Sequence, residues 1–389
     1  MNFRITLVLA LAALVAAAPA SAKAPKKVPA GFVGLVGDGP LLTDPSVDLS
    51  NQFNRMVANG TQSLRIMFNW AQAQPYQSMD QVPPDEVSRY RDENGVPTDY
   101  TWTDQFVSAS AQRHLALLPV VEVAPGWAAR HPGQFASPPS DPQLYANYIG
   151  ALVRRYGPGG SFWTEHPEYV EQPIRYWQIW NEPSFNTFWS DQPFAEDYVA
   201  LVRDSRVAVK SVDPAGKIVL AGLPNKSWNS LEKIYQAGGR DEFDIAAFHP
   251  FTAKVDGVKT ILQRDRKVMA KYGDSKKTLW VTELSWTSAK GKTSVTYGNE
   301  QTEQGQAKKL ADAYNMLARN RGKLHLGRAY WYTWITRDKV RDYPFDYAGL
   351  LRLRNGKLTA KPALKAYKQT ALALERCRAK KGRADRCAS

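Results

Sequence analysis

The stretch YWQIWNEPSF (176–185) opens as an apolar, aromatic strand and breaks off in Asn-Glu-Pro. Its end carries a carboxylate, Glu182, out of what reads as protein interior. An unpaired charge in such a place costs several kcal/mol, so the strand needs a reason for it. On both sides of this stretch, short strand-like runs alternate with longer amphipathic ones. The strand candidates are 31–36, 63–69, 115–123, 174–181, 217–221, 243–248, 279–282 and 328–334. Helical spacing of apolar residues marks 103–114, 142–156, 195–212, 258–272 and 302–321 between them. Asp213-Pro214 stops the helix at 195–212 before the next strand. Apolar strands that alternate with helices imply a parallel sheet covered on both faces. Eight of them at this length predict an α/β fold of the (β/α)8 TIM-barrel type, a single catalytic domain over 31–375. Gly34, Gly37 and Gly39 do not have the G-x-G-x-x-G spacing of a dinucleotide site. No P-loop and no G-x-S-x-G elbow is present.

A barrel places the C-terminal ends of its strands around one mouth, and polar residues collect at those ends here. Arg65, Asn69 and Trp70 lie on the second strand, Glu122 ends the third, and Asn181-Glu182 the fourth. His249 ends the sixth, Glu283 the seventh (LWVTELSW) and Trp334 the eighth. The long segments 76–100, 285–299 and 337–346 follow the second, seventh and eighth strands and belong at the same face. Two carboxylates in an aromatic cleft suit cleavage of a glycosidic bond, one protonating the leaving oxygen and one attacking the anomeric carbon. Glu182 and Glu283 are that pair. Arg65 keeps the attacking carboxylate anionic, and Asn181 donates to the sugar hydroxyl beside the reacting carbon. Trp70 and Trp334 are expected as cleft walls and His249 as a site residue, whereas Glu122 is read as structural or peripheral. Five histidines, none at ligand spacing, predict no metal, and no cofactor is implied.

WNEP on the fourth strand together with VTELSW on the seventh resembles the clan A retaining glycoside hydrolases, with family 39 and family 5-type enzymes as the nearest likeness. SLRIMFNWAQAQP, LLPVVEVAPGWAA, AVKSVDPAGKIVLAG, FDIAAFHPF and AGLLRLRNGKLTAKPALKAY extend the resemblance over nearly all of 31–373. The resemblance implies Glu182 as acid/base and Glu283 as nucleophile, with carboxyl groups about 5–5.5 Å apart. It also places Asn181, Arg65, His249 and Trp334 around the sugar. Phe251 stands where many relatives carry a tyrosine that supports the nucleophile. Tyr297, Tyr330 or Tyr332 then replaces it, or Arg65 acts alone. A non-catalytic glycan-binding barrel and a transglycosylase with the same residues are the alternative functions.

The first residues read as a secretory signal, with Arg4, an apolar run at 5–18 and an Ala20-Ser21-Ala22 cleavage site. Residues 1–22 are expected to be removed and 23–30 to form a tether, giving a secreted or envelope protein without a membrane span. The formal charge is +14, most densely placed in the tail 376–389, which carries RCRAKKGRADR. Contact with an anionic envelope or an acidic glycan fits that charge, and nucleic acid does not fit an exported chain without a binding module. In an oxidising compartment Cys377 and Cys387 are expected to pair. The expected partner is a poly- or oligosaccharide, and the chain is expected to be a monomer.

Overall fold

A computed structural model describes residues 28–338 and 341–375. The signal sequence, most of the tether and both cysteines lie outside these residues. Eight parallel strands form the barrel wall: β1 Val33–Gly37, β2 Ser63–Asn69, β3 Ala116–Glu122, β4 Tyr176–Ile179, β5 Lys217–Val219, β6 Ile245–His249, β7 Thr278–Leu284 and β8 Leu326–Trp331. Each pairs with its neighbour in chain order, and β8 closes on β1 through Val33↔Ala329 and Leu35↔Trp331. A two-residue strand, Leu223–Pro224, adds a short pairing to the mouth end of β6. All eight expected strands are present, with ends that differ by at most three residues.

The helices that cover the outside are α1 Leu49–Ala58, α2 Thr101–Ala111, α3 Pro142–Tyr156, α4 Ala195–Val212, α5 Ser227–Gln236, α6 Val255–Lys271, α7 Glu303–Leu324 and α8 Pro362–Glu375. Their starts follow local chemistry. Asp141 accepts from the Gln143 amide ahead of Pro142, and the Thr302 hydroxyl accepts from the Gly305 amide, which satisfies amides the first turn leaves free. Among the described residues no helix is long and apolar enough to cross a membrane.

Strand alternation divides the core in two. Inside the barrel, Val36, Leu118, Val219, Ile245, Ala247, Trp280 and Tyr330 form a closed apolar plug. Outward residues such as Leu35, Leu64, Trp177 and Leu279 join the helices in the larger core. Gly34 makes room for this plug, because a Cβ there would meet the Tyr330 ring at 2.4 Å. The plug seals the N-terminal part of the lumen, so an open cavity is left at the strands' C-terminal ends.

Two features were not foreseen. Segment 76–100 contains a hairpin, Arg91–Glu93 with Val96–Thr98. After β8, Ile335–Thr336, Leu351–Arg354 and Lys357–Ala360 form a small separate sheet.

Candidate active site

Above the plug lies a cavity of about 690 Å³, lined from β1, β2, β3 and β7 and from the segments that follow β1 and β3 to β8. Glu182 and Glu283 both line it. The chain leaves β4 through two non-glycine residues in the left-handed region, Trp180 at φ 64° and Glu182 at φ 41°. That conformation is costly for ordinary side chains and recurs at functional sites. Its effect here is to end the strand's alternation: Trp180 stays in the outer core while Asn181 and Glu182 both face the cavity.

Arg65 is the hub. It is 3% exposed and uses three nitrogens. Nε donates to Gln178 Oε1 at 2.6 Å, Nη1 to Glu283 Oε1 at 2.7 Å, and Nη2 to Asn181 Oδ1 at 2.8 Å. The guanidinium therefore pairs with one glutamate of the two and turns the Asn181 carboxamide so that its NH2 remains free to donate. Gln178, fully buried, also donates to the Leu220 carbonyl and was not foreseen as part of the site. A glutamine inside an otherwise apolar strand was its sequence signal.

His249 is completely buried. Its Nδ1 lies 2.6 Å from Glu182 Oε1 and its Nε2 3.0 Å from Thr282 Oγ1. Burial, with Arg65 adding to it, holds the imidazole well below its ordinary pKa, so it is neutral at physiological pH. One oxygen of Glu182, one of Glu283 and a His249 nitrogen lie within 4.8 Å of one another. These three could offer ligands to a cation, and Arg65 already places a positive charge against Glu283.

Burial pushes Glu182 well above the usual carboxylate range, with the charge of Glu283 as the second cause. Burial also raises Glu283, to about 7, against the pull of Arg65. The asymmetry has a clear origin, since only Glu283 holds the guanidinium. Glu182 is the member of the pair that keeps its proton at higher pH.

Four expectations are corrected by position. Trp70 is fully buried outside the barrel wall, edge-on to Tyr145 and Trp127 and stacked on Tyr148, with Nε1 donating to Gln74. Trp334 is equally buried in the outer core, where Nε1 donates to Gln52 of α1. Neither ring lines the cavity. Glu122, set aside as structural, does line it. His249 supports Glu182 from below and is not in the lining. The aromatic walls come instead from Tyr332, Tyr343, Phe345, Phe251 and Tyr297 on one side and Phe135, Phe185 and Phe188 on the other. None of the three candidate tyrosines hydrogen-bonds Glu283: Tyr332 donates to Asp38 at 2.6 Å, Tyr330 belongs to the inner plug, and Tyr297 is 55% exposed.

Gly222 shows how tightly the support under Glu182 is fitted. A methyl group there would fall 1.8 Å from His249 Nε2. Gly222→Ala is expected to displace the imidazole and lower kcat on the order of 10²-fold, the usual cost of an ångström-scale misplacement. Steady-state kinetics beside a thermal melt checks this, and an alanine variant with wild-type kcat would show that His249 need not stand where it does.

The fold and this mouth define a class, the (β/α)8 barrel with a paired-carboxylate site at its C-terminal face. No protein-family model and no curated protein matches the chain. Solved structures do. A family 39 glycoside hydrolase from the gut symbiont Bacteroides cellulosilyticus WH2 superposes with a TM-score of 0.60 at 20% identity, covering 90% of this chain and 65% of that one. A glucosidase from Croceicoccus marinus gives 0.62 at 16% identity, with 91% and 69% covered. A monomeric beta-xylosidase from Caulobacter crescentus CB15 gives 0.61 at 16%, with 89% and 69% covered. The chain thus spans about two thirds of the length of these enzymes. At such identities the likeness establishes the barrel fold.

Proposed function

We propose that the protein is a retaining glycoside hydrolase that cleaves a poly- or oligosaccharide by double displacement. The observation that carries the proposal is the approach of the Glu182 and Glu283 carboxyl oxygens within 4.8 Å in the cavity. Retaining enzymes hold their carboxyl groups about 5–5.5 Å apart, whereas inverting ones need about 6.5–9.5 Å to admit water. The glycosidases among the superposable structures support the same reading.

In the first step Glu283 attacks the anomeric carbon while Glu182 gives its proton to the departing oxygen. In the second, Glu182 takes a proton from water, whose oxygen displaces Glu283 from the same carbon. Arg65 holds Glu283 anionic, leaving Oε2 available for attack. The acid role requires Nδ1–H of His249 to donate to Glu182 Oε1, which leaves Oε2 of Glu182 to carry the catalytic proton. The Thr282 hydroxyl then donates to His249 Nε2, fixing the tautomer. Export to the cell exterior or envelope belongs to the same proposal and rests on the sequence of residues 1–22.

Proton NMR of the first-formed product, recorded faster than mutarotation, tests the mechanism. The expected product keeps the anomeric configuration of the substrate; an inverted first product overturns double displacement.

A further inference from the structure

Glu122 ends β3 with 9% of its surface exposed, and it lines the cavity. Every other acid in the lining has a partner in the protein. Glu182 meets His249, Glu283 meets Arg65, and Asp38 accepts from Tyr332 Oη and the Gly39 amide. The Glu122 carboxyl makes no hydrogen bond and no ion pair with any described residue. A buried acid without a partner is a net cost to the fold, so the fold gives no account of its presence. A ligand in the cavity does.

The cavity's charges narrow that ligand. Four carboxyl groups face it, from Asp38, Glu122, Glu182 and Glu283, and Arg65 is the single cationic side chain among the described lining residues. Each of its three nitrogens already donates, to Gln178, Glu283 and Asn181, and its charge is paired with Glu283. No second guanidinium or ammonium stands among the described lining residues to receive an anionic substituent. A uronate or sulfate on the bound sugar would face these acidic groups at close range with no free cation beside it. Sugar hydroxyls, by contrast, can donate to Asp38 and Glu122, which come from β1 and β3 and flank Arg65 on β2. Such bonds to carboxylates are the stronger kind.

We propose that Glu122, together with Asp38, is a specificity-determining residue that accepts hydroxyl hydrogen bonds from the sugar unit on the nonreducing side of the cleaved bond, and that this unit is a neutral sugar and not a uronic acid. The inference rests on the hydrolase reading of the same cavity. It also separates the chain's overall basic charge from its substrate: a positive surface can hold an anionic envelope while the cavity rejects an anionic sugar.

The test is a matched panel of 4-nitrophenyl glycosides of xylose, arabinose, glucose, galactose and mannose, with the glucuronide and galacturonide as anionic counterparts. Wild type is expected to turn over at least one neutral glycoside, with uronide kcat/KM at least about 100-fold lower. Glu122→Gln is expected to raise KM for the neutral substrate about 10- to 100-fold, the range for a lost hydrogen bond to a charged group, with a smaller change in kcat. Its melting temperature should match or exceed wild type, because the replaced carboxyl has no protein partner. A uronide cleaved as well as its neutral counterpart overturns the inference, and so does an unchanged KM in Glu122→Gln. If nothing on the panel is cleaved, the hydrolase reading is what fails. Calorimetric binding of the same glycosides to Glu182→Gln then decides the selection: neutral sugars bound and uronides excluded uphold it, and equal binding of both refutes it.

Discussion

Glu283→Ala is expected to lower kcat/KM by at least about 10⁴-fold, equivalent to roughly 5.5 kcal/mol of lost transition-state stabilisation. In the proposed mechanism the Glu283 carboxylate bonds the anomeric carbon, and no neighbour is set to replace it. Glu182 is the nearest acid, but burial and the Glu283 charge keep it protonated. His249 is neutral and fully enclosed. The alanine also opens space beside Arg65 for a small external anion, so azide should restore turnover and yield a glycosyl azide of inverted configuration. Glu283→Gln retains an acceptor for Arg65 Nη1 and serves as the folded, inactive control. More than about 1% residual activity in the alanine variant, with no azide product, would remove Glu283 from its role.

Glu182→Ala should cost about 10²–10⁴-fold on substrates whose leaving group needs a proton, the usual contribution of a positioned acid. Aryl glycosides with strongly acidic phenols need no such proton. Their first step should proceed nearly unimpaired, and the glycosyl-enzyme should accumulate as a burst. The pH dependence follows from the two environments. The proposed mechanism needs Glu283 ionised, so activity is expected to fall as pH drops through its raised value of about 7. It also needs Glu182 protonated, so activity is expected to fall again as pH rises far enough to ionise that acid, which burial holds well above the usual carboxylate range. Glu182→Ala should keep the acid limb and lose the alkaline one. A variant that loses activity equally on all leaving groups, with the bell intact, would mean that Glu182 does not supply the proton.

The same shifts bear on stability. A carboxyl whose folded pKa is raised keeps its proton in the native state after the unfolded chain has lost it, so its contribution is complete below the unfolded value and vanishes as pH rises through the folded one. For Glu122, with ordinary and folded values of 4.5 and about 7, that window holds roughly 3 kcal/mol. The site is thus a place where the fold gives up stability for chemistry.

Strand alternation explains much of what was readable and what was misread. On β2, Arg65 and Met67 face inward while Leu64, Ile66 and Phe68 join the outer core. Trp70 shares the outward parity of that second set. Counting from Arg65 would have placed it outside the barrel, so its assignment to the cleft was avoidable. On β3 the same count runs from Leu118 through Val120 to Glu122, all inward, and it would have brought Glu122 into the site. Trp334 differs. It shares the inward parity of Tyr330 and Tyr332, yet it lies in the outer core. The strand ends at Trp331 and the chain turns just beyond, so parity no longer applies.

By itself the amino-acid order determined the alternation of eight strands and helices, the position of Asn181-Glu182 and Glu283 at strand ends, and the presence of one arginine on β2. These follow from local periodicity, and a (β/α)8 barrel turns strand-end position into convergence at one mouth. Tertiary structure alone decided the partners. Arg65 reaches Glu283 across 218 residues of chain, His249 supports Glu182 across 67, and Tyr332 turns to Asp38 across 294. Such pairings depend on side-chain directions set by barrel closure and by the two left-handed residues that end β4. They set apart the proton affinities of two glutamates that look alike in the sequence, because proton affinity is fixed by burial and neighbours and not by residue type.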